Sequence, residues 1–102
     1  MTAKELILSL PSRFKPEAGK GIIIVFHFII SGDNGGSFTV KVDDGICTTL
    51  EGLEGEPKCM IETSATDYED VEYGRTNAQM AVLFGKIKVS NIGSMLKFVE
   101  MF

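Results

Sequence analysis

Three side chains in this sequence carry chemistry often used for covalent catalysis: His27, Cys47 and Cys59. A cysteine nucleophile needs an imidazole within hydrogen-bond reach of its thiol, so that the thiol proton has an acceptor. Side chains alternate between faces along a strand. That alternation sends His27 to the face opposite Cys59, while Cys47 falls on an edge strand, so no thiol–imidazole pair is expected. Two cysteines and one histidine fall short of the four ligands of a structural zinc site. Asp33, Asp43, Asp44 and Asp67 sit in turns and helix starts, where local hydrogen bonding explains them. Gly32, Gly35 and Gly36 lie between two strands, so no helix N-terminus is offered to a phosphate. The chain therefore reads as a non-enzyme with no metal and no cofactor.

What the sequence has in excess is apolar surface on its helices. Residues 80–84, Met-Ala-Val-Leu-Phe, are apolar without a break. At about 100° per residue such a run circles a helix and leaves it no solvent face. Thr76 is placed to cap this helix, with Gln79 completing a capping box. Gly85 stands where a left-handed C′ residue is wanted, and Lys86-Ile87-Lys88-Val89 alternates like a half-buried strand. In the last helix Ile92, Met95, Leu96, Phe98, Val99, Met101 and Phe102 leave only Lys97 and Glu100 as strong charges. Met95, Val99 and Phe102 recur at i, i+4 and i+7 and make one stripe. These residues either fill one another or enclose a ligand.

The elements that must position them follow in order. Thr2-Ala3-Lys4-Glu5 is a capping box that opens a helix reaching Leu10, with Pro11 as its stop. Residues 22–30 form a central strand rich in β-branched and aromatic types. Residues 37–43 and 46–50 follow across tight turns, giving a three-stranded antiparallel meander. After a loop at 51–57 comes a fourth strand, 58–63, and then a helix capped at Ser64 and ending at Gly74. The stripe of that helix, Ala65, Tyr68 and Val71, is thin and suggests a half-exposed position. Parity gathers Phe26, Phe28, Ile30, Phe38, Val40, Val42, Cys59, Ile61, Ile87 and Val89 on one sheet face. The other face takes His27, Thr39, Lys41, Lys58, Glu62, Lys86 and Lys88 as a solvated surface. Ile23, Val25 and Ile29 on that same side suggest a modest self-association patch or a site covered by the first segment of the chain.

A chain of 102 residues suits a single domain, 1–102. The formal charge of −4 argues against nucleic acid, which needs a basic footprint, and against electrostatic docking on anionic membranes. No apolar run is long enough to span a bilayer. With no signal peptide and no peroxisomal Ser-Lys-Leu ending, a cytoplasmic protein is expected.

The run Gly74-Arg75-Thr76-Asn77-Ala78-Gln79, followed by Gly85-Lys86-Ile87-Lys88-Val89-Ser90-Asn91, resembles the signature of the sterol carrier protein type-2 family. The resemblance continues upstream through residues 25–30, 40–45 and 58–62, in the family's order. Ala78 stands where the family usually has Pro, Phe84 where some lipid-carrying members have Gln, and the Ser90-Asn91 loop lacks the usual Gly. The resemblance implies an α+β domain, a five-stranded mainly antiparallel sheet with helices packed on one face. It implies non-catalytic binding and carriage of a fatty acid, fatty acyl thioester or sterol in a tunnel between sheet and helices. The residues expected to line that tunnel are Phe26, Phe28, Phe38, Ile61, Met80, Leu83, Phe84, Ile87, Met95, Val99 and Phe102. The expected partner is a lipid or fatty acyl ligand, with transient, non-electrostatic membrane contact, in a monomer or weak homodimer. The alternative is an interaction or accessory module that presents substrate to a lipid-metabolising enzyme. The family's strand order separates Cys47 from Cys59 by two strands, roughly 14 Å at ~4.8 Å per strand, so both should be free thiols.

Overall fold

The strand–turn pattern of residues 22–51 folds as its alternation dictates. In the computed structural model, which describes residues 1–102, β1 (Ile23–Ser31) runs antiparallel to β2 (Gly36–Asp43), and β2 antiparallel to β3 (Ile46–Glu51). The second turn has only Asp44 and Gly45 between paired residues, both at positive φ (47° and 85°). This is the two-residue geometry that matches the twist of the flanking strands. In the first turn Gly35 has no alternative, because a Cβ there would collide with the carbonyl oxygen of Ile30.

From the edge strand β3 the chain crosses back over the sheet and enters β4 (Cys59–Ser64), which pairs with β1 in parallel. β5 (Ile87–Val89) then adds antiparallel to β4, giving the order β3-β2-β1-β4-β5. The sheet is thus mixed, with one parallel pair. A parallel pair cannot be joined by a tight turn and needs a crossover. Here the crossover is the loop at 52–57, laid on the outer face of the sheet. Thr39 Oγ1 donates to the Gly52 carbonyl (2.8 Å) and accepts from the Glu54 amide (2.9 Å), and His27 Nε2 lies 2.9 Å from the Glu54 carbonyl oxygen. The expected solvated surface is corrected at these two positions: His27 is 5% and Thr39 3% exposed, because the crossover covers them. Val25 and Ile29 are half-buried, while Ile23 remains exposed.

The inner face is the core. Phe26, Phe28, Ile30, Phe38, Val40, Val42, Cys59, Ile61 and Ile87 are all buried there, as parity requires. Helix α1 (Ala3–Leu8) carries the Thr2/Glu5 capping box and buries Ala3, Leu6 and Ile7. Pro11 does not end it. The chain turns at Ser9, and Pro11 occupies the first turn of α2 (Leu10–Arg13), where a missing N–H costs nothing. Helix α3 (Ala65–Glu72) is capped by Ser64 and sits deeper than its stripe suggests, with the Tyr68 ring edge-on to Phe28 at 6.0 Å. Helix α5 (Ile92–Met101) is capped by Asn91, whose Oδ1 accepts from the Ser94 amide at 3.0 Å.

Helix α4 (Ala78–Leu83) departs most from expectation. Its cap is Asn77, one residue after Thr76, with Oδ1 accepting from the amides of Gln79 (2.8 Å) and Met80 (3.3 Å). Gly85 adopts the left-handed conformation expected after the helix, φ 75°. Only Ala81 is buried; Met80, Leu83 and Phe84 are 45%, 73% and 68% exposed. The helix flanks the sheet end formed by the three-residue β5, so it is covered on one side only. An unbroken apolar run needs cover all round only when layers exist to supply it. Cys47 and Cys59 are free, with β2 and β1 between their strands. No helix is long and apolar enough to cross a membrane.

Candidate functional site

Helix α5 is pinned at its C-terminal end and stands away from the sheet along one flank. Phe98 anchors it, with ring centroids 5.2 Å from Phe26, 5.4 Å from Phe28 and 4.6 Å from Phe102. Phe102 in turn packs on Phe14 at 5.5 Å, and the Lys15 amide donates to the Met101 carbonyl at 2.8 Å. Between α5 and the α3–α4 segment lies a cleft of about 460 Å³. That is within the range of small-ligand sites, ~300–1,000 Å³. Its floor is Phe28, Ile61 and Ile87, and one wall is Met95, Leu96, Phe98, Val99 and Phe102. The facing wall is Tyr68 and Val71, then Thr76, Asn77, Ala78 and Gln79, with Arg13 and Glu72 beside them.

The polar side of the cleft is internally satisfied. Arg13 binds Glu72 through two contacts, Nη1–Oε1 at 3.3 Å and Nη2–Oε2 at 2.8 Å, and Nη2 also donates to the Leu6 carbonyl at 2.9 Å. The Tyr68 hydroxyl donates to Glu72 Oε2 at 2.9 Å. The bond to Glu72 raises the pKa of Arg13, and burial holds the Tyr68 phenol well above its usual range. The trio thus presents a guanidinium, a carboxylate and a neutral phenol. The thiols do not join it. Burial pushes Cys47 up to about 11 and also raises Cys59, whose Sγ contacts the Asn91 carbonyl at 3.5 Å. Neither offers thiolate at neutral pH, and His27 is engaged on the opposite face of the sheet.

Of the residues expected from the sequence, the fold gathers Phe28, Ile61, Ile87, Met95, Val99 and Phe102 around the cleft. Phe26 and Phe38 do not reach it. The first is roofed by Phe98, and the second lies on β2, one strand further from β4 and β5. Met80, Leu83 and Phe84 point away from it, on the uncovered side of α4. Leu96, Phe98, Tyr68 and Val71 line the cleft without having been singled out, although each lies on an apolar helical stripe. Arg13 and Glu72 had no local signal, being 59 residues apart.

The fold recurs in solved structures. The inverting sec-alkylsulfatase Pisa1 from Pseudomonas sp. superposes with a TM-score of 0.80 at 14% identity, over 99% of this chain and 16% of that chain. Palmitated sterol carrier protein 2 like 2 from Aedes aegypti gives 0.74 at 18% identity, over 97% and 94% of the two chains. The ubiquinone synthesis protein UbiJ-SCP2 gives 0.70 at 17% identity, over 96% and 90%. The chain thus spans about one sixth of the sulfatase's length. This overturns the expectation of a non-enzyme: the same fold forms part of an enzyme, so a missing thiol–imidazole pair does not set the chain apart from catalysis. No curated protein sequence matches. The family description of the SCP-2 sterol transfer family, by contrast, matches residues 5–102, so the chain belongs to that family.

Proposed function

We propose that this protein binds and carries an elongated, single-tailed lipid in the cleft between α5, the α3–α4 segment and the sheet. The observation that carries this reading is the cleft itself: about 460 Å³, walled by aromatic, Met and aliphatic side chains, with its few polar groups on one side. That is the layout of a tail site with a polar margin. The palmitated Aedes relative, which nearly matches this chain in length, supports the same reading. Burying about ten methylenes at ~0.8 kcal/mol each supplies about 8 kcal/mol gross. Association costs of at least ~4 kcal/mol leave at most about 4 kcal/mol from those methylenes, a Kd of about 1 mM, so tighter binding draws on a longer tail and on head-group contacts. Apolar contact is tolerant of shape, so the tail is recognised by length and girth rather than by identity.

A second reading draws on the alkylsulfatase. There the fold is one segment of a larger chain, and here the cleft would present an apolar substrate to a catalytic partner. Both readings require ligand in the cleft. Native mass spectrometry of the purified protein before and after solvent extraction, followed by titration with a fluorescent alkyl probe, tests that requirement. Extracted protein should take up one probe per chain. A folded, extracted protein that takes up none would refute both.

A further inference from the structure

We infer that the cleft selects lipids whose head group is polar but uncharged over free carboxylates, because Glu72 already occupies the one cation of the site. This rests on the reading of the cleft as a lipid site. Of the sixteen residues lining it, only Arg13 and Glu72 are charged, and they neutralise each other through paired contacts of 3.3 and 2.8 Å. A two-point contact between guanidinium and carboxylate uses the face of the fork that would otherwise clamp a ligand carboxylate. Arg13 Nη2 is further committed to the Leu6 carbonyl. An incoming carboxylate therefore meets a guanidinium whose paired donors are taken, with only single N–H groups left on Nε and Nη1, and the negative charge of Glu72. No lysine lines the cleft to compensate.

Neutral heads meet a different surface. The oxygens of Glu72 can accept from an alcohol O–H. Asn77 commits its Oδ1 to the α4 cap, which leaves its side-chain NH₂ for a carbonyl, and Thr76 and Gln79 add further neutral donors. Alcohols, esters and thioesters are all served by such groups. The Tyr68 hydroxyl, held neutral by burial, directs its proton to Glu72 and keeps that carboxylate in place against Arg13.

The test uses three ligands with one tail: laurate, lauryl alcohol and methyl laurate. Each displaces a neutral fluorescent alkyl probe at neutral pH from wild type, from Glu72→Gln and from the Arg13→Gln/Glu72→Gln double variant. Laurate is also the best hydrated of the three, so the deciding quantity is the laurate-to-alcohol affinity ratio compared between proteins. A nearby unpaired cation favours an ionised carboxylate by about ten- to a thousandfold. With Arg13 partly exposed, the lower end applies: Glu72→Gln should raise that ratio about tenfold and the double variant should return it to the wild-type value. Thermal melts of all three proteins establish that they are folded. A ratio unmoved by Glu72→Gln, with all ligands still displacing probe, overturns the head-group inference alone. Failure of the probe itself to bind wild type overturns the lipid-cleft reading as well.

Discussion

Val99 and Met101 lie two residues apart on α5 and should respond oppositely to substitution, because one faces the cleft and the other the core. Val99 lines the cleft and is 52% exposed; Met101 is 1% exposed and does not line it. Truncating Met101 to Ala leaves a void in close-packed surroundings and should cost ~2–5 kcal/mol. At ~4–8 °C per kcal/mol for a domain of this size, a loss of about 3 kcal/mol lowers Tm by about 12–24 °C. Enlarging Val99 to Trp places the added ring where space already exists. It avoids the usual overpacking penalty of ~1–3 kcal/mol and should stay within about 0.5 kcal/mol of wild type. The same substitution should weaken uptake of a fluorescent alkyl probe at least about tenfold, ~1.4 kcal/mol. Differential scanning fluorimetry and probe titration on the two variants give both quantities. A Val99→Trp protein with a core-like loss of stability and unchanged uptake would mean that the space beside α5 is not a ligand cleft.

The crossover loop depends on Thr39, which bonds both Gly52 and Glu54. Thr39→Val strands two polar backbone groups and should cost ~1–3 kcal/mol, with new protease cleavage at 52–57 as its local sign. Asn77→Ala removes both cap bonds of α4 and should cost about 1 kcal/mol, read as a lowered denaturation midpoint with an unchanged slope. Both thiols should be titratable in denaturant without reductant, and both should react slowly with disulfide reagents in the native state at neutral pH. The folded-state pKa of Cys47 is raised to about 11 from a model-compound value of 9.0. Its protonated form therefore contributes stability fully below pH 9 and loses that contribution as pH rises towards 11. Stability that rises through this window on account of the thiols, judged against a Cys47→Ser variant, would contradict the burial.

The sequence by itself determined the sheet. Period-2 alternation assigns each strand residue to a face, and tight turns with Gly at the required positions fix the meander register, so Phe28, Ile61 and Ile87 could be placed on one apolar face from local pattern alone. It also determined the caps at Thr2, Ser64 and Gly85, which depend only on neighbouring residues. Tertiary structure decided what covers each surface. The unbroken apolar run 80–84 looks enclosed in one dimension, yet a three-residue β5 beside it cannot enclose it, and Met80, Leu83 and Phe84 end in solvent. His27 and Thr39 carry the parity of a solvated face, but the parallel β1–β4 pairing routes a loop across them. The Arg13–Glu72 pair, on which the polarity of the cleft turns, joins residues from α2 and α3 that share no local pattern. Periodicity reports which side a residue faces; only the packing of distant segments supplies what waits on that side.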